Sequence, residues 1–274
     1  MKHYKLALAC GVLLVAVASC GCSRLKARDQ LNKGVAAFRN AEFQAAIMRF
    51  KESVRLDPTL LNARLYLATA YAQLYIPSGE SEENIKVAKQ AIEGFDDVLR
   101  LDPNNVTAIA SAAQIYYQMK NFDKAKEYQR RRLEVEPNNP EPYYWIGVIN
   151  WAICYPRQAQ LRNDLRLNIP KDLNNPDTLP PLPEKARAEL EKDNGALVEE
   201  GLKALQKAVE LKPNYSDAMV YLSLTYRQRA DLDADKNTHE ADLQQANEWV
   251  QKALDIRKGG GEKAAPATSA EGAS

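Results

Sequence analysis

The chain has 274 residues, 27% of them charged and 45% hydrophobic, enough to bury a core and too apolar for a disordered polymer. Lys and Arg number 37 against 36 Asp and Glu, a net of +1, so the whole chain lacks the basic surplus that a general nucleic-acid binder needs to neutralise phosphates. There are two His and four Cys, and four of those six lie within the first 22 residues, leaving few ligands or bases for metal or His-based chemistry.

The chain opens on the basic stretch Met1–Lys5 and continues into an uncharged, mostly apolar run of 14 residues, Leu6–Ser19. A membrane span needs ~20 residues; the shorter run suits the apolar core of a signal peptide. It ends in Val17-Ala18-Ser19-Cys20, which resembles the bacterial lipobox. In that motif a diacylglycerol is attached to the Cys sulfur and the chain is cut just before it. The resemblance implies that residues 1–19 are a lipoprotein signal and that Cys20 is the lipidated first residue of the mature chain. A plain signal peptide, an uncleaved anchor and acylation at Cys22 are the alternatives. Gly21 stands where an Asp marks inner-membrane retention in similar lipoproteins. This implies an exported protein anchored to the outer membrane and facing the periplasm, where the cell has one. Cleavage also removes Lys2 and Lys5, leaving 35 basic against 36 acidic side chains, so lipid rather than net charge is expected to hold the chain at the membrane. Residues 20–26 form a short tether, and six residues beyond Cys20 reach at most ~20 Å.

Next come four recurring phrases, Arg55-Leu56-Asp57-Pro58, Arg100-Leu101-Asp102-Pro103, Glu134-Val135-Glu136-Pro137 and Glu210-Leu211-Lys212-Pro213. Each closes an apolar stretch of helical period, and Pro is a natural helix stop. Their prolines are 45, 34 and 76 residues apart, one bare 34-residue period and two with insertions. The favoured residue types recur in register. The unit 27–60 has Gly34, Ala46, Phe50 and Leu56, and 61–105 has Leu67, Ala68, Tyr71, Ala91 and Phe95. The unit 106–139 has Ala112, Ala113, Tyr116, Phe122, Ala125 and Leu133. The unit 140–215 has Ile146 and Gly147, then Ala204, Ala208 and Leu211, and 216–257 has Leu222, Tyr226, Ala246 and Ala253. Gly34, Ala68, Ala113 and Gly147 lack bulk where a partner helix approaches, and residues such as Tyr71 and Phe95 fill the grooves.

This period and these residues resemble the tetratricopeptide repeat (TPR) family. The resemblance covers 27–257 and implies an all-α fold, an α-solenoid of about five helix–turn–helix units wound into a right-handed superhelix. Gly201, Arg132 and Gln129 depart from the family pattern and weaken packing locally. Ser81-Glu82-Glu83 reads as a helix cap with an acidic first turn. The fourth unit carries an excursion, 156–194, with six of the 14 prolines, including the extended stretch Leu179-Pro180-Pro181-Leu182-Pro183. Glu184–Asp193 is helical and leads into the second helix. The excursion is a surface segment packed on the repeats or a partner-docking element. The stretch 258–274, rich in Gly, Ala and Ser, reads as a disordered tail. Leu243, Ala246, Trp249, Val250, Ala253 and Leu254 are expected to leave part of the last helix exposed, so that either its amphipathic pattern suffices or this end meets another protein.

Signatures for dinucleotide, phosphate-loop or zinc-protease chemistry are missing from the sequence, so no catalytic residue, metal or cofactor is assigned. Thr238-His239-Glu240 reads as a solvated cap region and Cys154 as a packed thiol. In the resembled family the first helix of each pair lines an inner groove that holds protein or peptide partners. Carried over position by position, the groove comprises Asn32 and Arg39 in the first unit and Asn62, Tyr66 and Gln73 in the second. It continues with Gln114, Tyr117 and Gln118, then Tyr144, Trp145 and Trp151, and ends with Tyr221 and Arg227. The carboxylate clamp of chaperone-binding repeats is not matched, because its places hold Leu31, Val35, Tyr66, Thr107 and Ser111. The expectation is a non-catalytic lipoprotein adaptor or scaffold of the cell envelope, serving pilus biogenesis, outer-membrane protein assembly or peptidoglycan synthesis. It binds protein or peptide partners and no nucleic acid, with its oligomeric state open. The alternative is a glycan or small-ligand accessory that uses the aromatic residues beside the fourth unit's excursion.

Overall fold

Helices form wherever the apolar period runs uninterrupted, and they stop where an extended residue meets a proline. The computed structural model describes residues 22–168 and 179–259. Among these are ten helices and no strand. They are α1 (22–39), α2 (Phe43–Leu56), α3 (Leu61–Leu74), α4 (Glu82–Leu101), α5 (Val106–Gln118), α6 (Phe122–Val135), α7 (Pro140–Asp164), α8 (Glu184–Leu211), α9 (Ser216–Ala230) and α10 (Lys236–Lys258). Consecutive helices form five pairs. Between pairs, the capping residues Asp57, Asp102 and Lys212 swing to φ −140, −136 and −135°, the extended geometry that a following proline demands. Within the first and third pairs the turn is built alike, with Ala41 at φ 60° and Lys120 at φ 58°.

The chain divides into two compact units, residues 1–128 and 129–274, and the boundary falls inside α6. In the first unit the core mixes alanines with large apolar side chains. Phe50 and Phe95 are fully buried among Ala46, Ala63, Ala68, Ala88 and Ala91. A side chain at Gly34 would run into the Phe50 ring, and one at Gly94 would sit 2.8 Å from the Ala68 Cβ. The insertion between α3 and α4 is closed by one residue. Asn84, 8% exposed, accepts from the Ile76 N–H at 2.8 Å and donates to the Ile76 and Gly79 carbonyls, both at 2.7 Å. Ser81 caps α4 by accepting from the Asn84 N–H, with Glu82 and Glu83 in the first turn.

In the second unit the helices are longer and the core is leucine-rich, with Leu190, Leu202, Leu205 and Leu222 at its centre. Gly147 of α7 faces Leu205 of α8 with no room for a Cβ between them. The fourth unit departs from the sequence expectation, which opened the excursion at Pro156. Pro156 lies inside α7, and the helix runs on to Asp164. Here α8 braces α7: Asn194 donates to the Cys154 carbonyl at 3.1 Å, two residues before the proline. Similarly, 184–193 are the first turns of one long helix α8, entered from the non-helical stretch 179–183. Arg132, a departure from the family pattern, is held by two carboxylates, Glu136 at 3.0 Å and Glu141 at 2.8 Å. The last helix buries Ala246 and Ala253 and leaves Leu254 exposed. At the other end, α1 begins five residues ahead of Ala27, so 22–26 are helical rather than a loose tether. The signal stretch, Cys20 and residues 260–274 lie outside the described residues.

Candidate functional site

In the first unit the groove residues named from the sequence fall on the first helices of the pairs. Asn62, Tyr66 and Gln73 are exposed along one stripe of α3, at i, i+4 and i+11. Gln114, Tyr117 and Gln118 follow at i, i+3 and i+4 on α5, where Gln114 is exposed and the other two half-buried. Asn32 and Arg39 are exposed on α1. The aromatic members are braced from behind. Tyr66 stacks on Phe50 at 5.6 Å and meets Phe38 edge-on at 6.4 Å. Tyr117 packs against Phe122 at 5.8 Å, and burial pushes its hydroxyl above the usual tyrosine pKa. A ring held this way offers contact area at little entropic cost.

In the second unit the structure gathers the candidates into a continuous string. Tyr144 touches Trp145 at 5.4 Å and Tyr221 at 5.7 Å, and Tyr221 meets Trp151 edge-on at 5.5 Å. Two rings that the sequence reading left out extend it. Tyr215 lies 5.1 Å from Tyr144, and Tyr155 stacks on Trp151 at 4.9 Å. Tyr155 is one turn beyond Trp151 at i+4, so helical spacing alone places it on the same face.

The string ends at a cavity of about 250 Å³. Trp151, Tyr155, Gln158 and Arg162 of α7 form one wall, and Leu224, Arg227 and Gln228 of α9 form another. Asp231, His239 and Leu243 close it, with Leu179 from the excursion. Its polar floor is a buried ion pair: Arg162 Nε donates to Asp231 Oδ2 at 2.8 Å, and a second guanidinium nitrogen reaches Oδ1. Arg162 also donates to the carbonyls of Leu167 (3.1 Å) and Pro180 (3.2 Å), tying both ends of the excursion to α7. Gln228, 4% exposed, donates to the Trp151 carbonyl at 3.3 Å, while its Oε1 has no partner among the described residues. His239 is half-buried, with Nδ1 2.7 Å from the Ala230 carbonyl, rather than fully solvated. Gln158 and Arg162 escaped the sequence reading because the helix was expected to end at Pro156, and Asp231, at the end of α9, because its partner lies past that expected stop.

Beside the cavity, Arg229 forks onto Asp242 at 2.6 and 2.7 Å, which raises the guanidinium pKa further. Asp233 titrates at about 6: burial disfavours its charge, and the neighbouring Asp242 carboxylate adds to the shift. Cys154 is buried with its Sγ 3.9 Å from the Asn194 carbonyl. Among the described residues, no cluster of His, Cys, Asp and Glu has the makings of a metal site, and no helix is long and apolar enough to cross a membrane.

Paired helices in series, with rings and amides along the first helices, define a helical-repeat protein with side chains suited to binding. A tetratricopeptide repeat model matches residues 88–145. Interferon-induced protein with tetratricopeptide repeats 2 of Cricetulus griseus is 25% identical over 183 residues, covering 67% of this chain and 31% of that protein. Hsp70-Hsp90 organizing protein of Triticum aestivum is 29% identical over 115 residues, covering 42% of this chain and 18% of its own length. The chain thus spans less than a third of either relative. Among solved structures, MamA from Desulfovibrio magneticus superposes with a TM-score of 0.55 at 18% identity, over 85% of this chain and 96% of that one. YrrB, described as a TPR protein with an unusual peptide-binding site, gives 0.50 at 15% identity, over 84% and 90%. At these identities the likeness is one of fold. The chain thus carries tetratricopeptide repeats over the matched residues and has the all-α fold of tetratricopeptide repeat solenoids.

Proposed function

We propose that this chain is a non-catalytic, lipid-anchored adaptor of the bacterial cell envelope. It captures an extended segment of a partner protein along the first helices of its repeats. The observation that carries the binding reading is the aromatic string from Trp145 to Tyr155, which ends at a cavity with room for one side chain. Rings supply contact area, and the neighbouring Gln and Arg side chains pair with a bound backbone. Anchoring rests on the Val17-Ala18-Ser19-Cys20 motif, and the periplasmic side of the outer membrane on Gly21. Pilus biogenesis, outer-membrane protein assembly and peptidoglycan synthesis are the processes that such an adaptor would serve.

Three measurements test this reading. Trp151→Ala and Trp145→Ala should each weaken binding to an arrayed peptide library at least tenfold while leaving helicity intact, and unchanged binding would remove the groove. Tyr117→Ala makes the same test in the first unit. Labelling by radioactive palmitate in cells should disappear on Cys20→Ala, and its persistence would move the anchor elsewhere.

A saccharide-binding accessory is the second reading, and it has one observation of its own. Gln228 Oε1 meets no donor among the described residues, in the wall of a cavity that also offers rings and Arg227, and a ligand hydroxyl is both donor and acceptor. Thermal stabilisation by peptidoglycan fragments, with no peptide present, would favour this reading over the first.

A further inference from the structure

The near-neutral charge of the whole chain conceals a steep local imbalance. Residues 22–56, the first helix pair, hold eight Lys and Arg against three Asp and Glu, a net of +5. From residue 57 onward 27 basic side chains face 33 acidic ones, a net of −6. All eight cations of the pair are exposed. Two of the three acids answer their own neighbours: Asp29 pairs with Lys33 at 2.7 Å, and Glu52 pairs with Arg55.

The same helices display aliphatic side chains with nothing over them. Leu25 is 71% exposed and Met48 67%. On α1 the outward stripe reads Cys22, Leu25, Lys26, Asp29 and Lys33, spaced i, i+3, i+4, i+7 and i+11 along one face. The buried stripe, Ala27 and Gly34, faces α2, where Ser53 donates to the Ala27 carbonyl at 2.7 Å. The outward stripe is therefore not needed to hold the pair together.

We infer that the first helix pair, through its exposed cations and Leu25 on the outward stripe of α1, rests on an anionic phospholipid surface. Phosphate headgroups complement the cations, and the Leu25 side chain enters the boundary between headgroup and acyl chain. A nucleic acid would also meet the charge, but it has no use for exposed aliphatic side chains. The inference leans on the anchoring proposal only for its setting. Because α1 starts at residue 22, an acylated Cys20 would stand two residues before the stripe. Acyl chains would hold the terminus at the surface, and a basic patch beside them adds headgroup contacts that strengthen and orient the attachment.

The test is co-sedimentation of the full chain with neutral phosphatidylcholine vesicles and with vesicles containing phosphatidylglycerol. Binding to the anionic vesicles should be at least tenfold tighter at low salt and fall to the neutral level in high salt. The triple variant Arg24→Glu, Lys26→Glu, Lys33→Glu should lose that preference and keep the neutral-vesicle baseline, which reports the apolar leader. A milder set, Lys26→Gln with Leu25→Ser, guards against misfolding and should lose part of the preference with an unchanged melt. Equal binding to both vesicle types, or full anionic preference in the triple variant, overturns the inference. So does a tighter, salt-sensitive affinity for duplex DNA without vesicle discrimination. Palmitate labelling reads the anchor separately, so one idea can fail while the other stands.

Discussion

In the first unit Phe50 fills the space that Gly34 leaves, Gly94 lies against Ala68, and buried alanines alternate with larger apolar side chains. The second unit uses the same device at Gly147 and Leu205, but it also encloses an ion pair, Arg162 with Asp231, whose side chains are 9% and 6% exposed. The difference follows from the task. Regular pairs close by interdigitating small and large apolar side chains, which needs no direction. In the fourth pair, directional bonds from Arg162 to the Leu167 and Pro180 carbonyls add to this packing and hold the non-helical chain to α7. Apolar packing fixes the repeats, and a buried polar network fixes the irregular segment beside the candidate site.

Breaking that network should have the largest effect. Asp231→Ala leaves Arg162 buried and uncompensated and should cost about 3–5 kcal/mol in urea denaturation. The double change Arg162→Met, Asp231→Leu should recover much of the loss, because well-packed apolar replacements of a buried pair are often neutral. A double variant as unstable as the single one would show that shape, not charge compensation, sets the cost.

The shared packing device comes next. Gly147→Ala drives a methyl into Leu205 and should cost about 1–3 kcal/mol. Gly201, on the partner helix α8, is a control of opposite sign. A Cβ there would lie 3.4 Å from the Asn150 Cβ, so Gly201→Ala should stabilise by about 0.5–1 kcal/mol through helix propensity. Equal losses at the two glycines would mean that close approach is not what Gly147 provides.

A smaller gain is expected in the first unit. Ala41 holds φ 60°, where a Cβ is strained, so Ala41→Gly should raise stability by about 1 kcal/mol by chemical denaturation. An unchanged midpoint would show that the turn relaxes at no cost.

The smallest effect is one of pH, and the two units should respond oppositely. Asp233 titrates at about 6, above its unfolded value, so its contribution is present in acid and lost as pH rises through 6. Asp57, in the first unit, has its pKa lowered by the Thr59 hydroxyl, with further help from the Thr59 N–H, Arg24 and Arg28. Its contribution is present above the ordinary carboxylate value and lost as pH falls. Melting curves between pH 4 and 7 should flatten for Asp233→Asn relative to the parent, and an unaltered slope would remove Asp233 as the source.

Much of this fold is legible in the chain itself. Pro58, Pro103, Pro137 and Pro213 announce the ends of four helix pairs, and Gly34, Ala68 and Gly147 mark where helices touch. The site is legible only in part. Helical spacing places Trp151, Tyr221 and Arg227 on first helices, but it does not tell that the first two share an edge contact. It misses Gln158, Arg162 and Asp231, because proline is a local stop signal and α7 runs through Pro156 with Asn194 of α8 bonded to the carbonyl two residues before. Net charge misleads in the same way, since summing the chain cancels a +5 first pair against the −6 that follows.

The sequence by itself determined what is local and periodic: the helices, their 34-residue register, their stops and the family. Period, small-residue placement and proline position act within one or two helices, so they can be read along the chain. Tertiary structure decided what depends on partners far apart in sequence. Residues 162 and 231 form one buried pair, rings from α7 and α9 join into one string, and α7 outlasts its proline. Each of these balances a penalty in one segment against a group supplied by another, and no local pattern carries that balance.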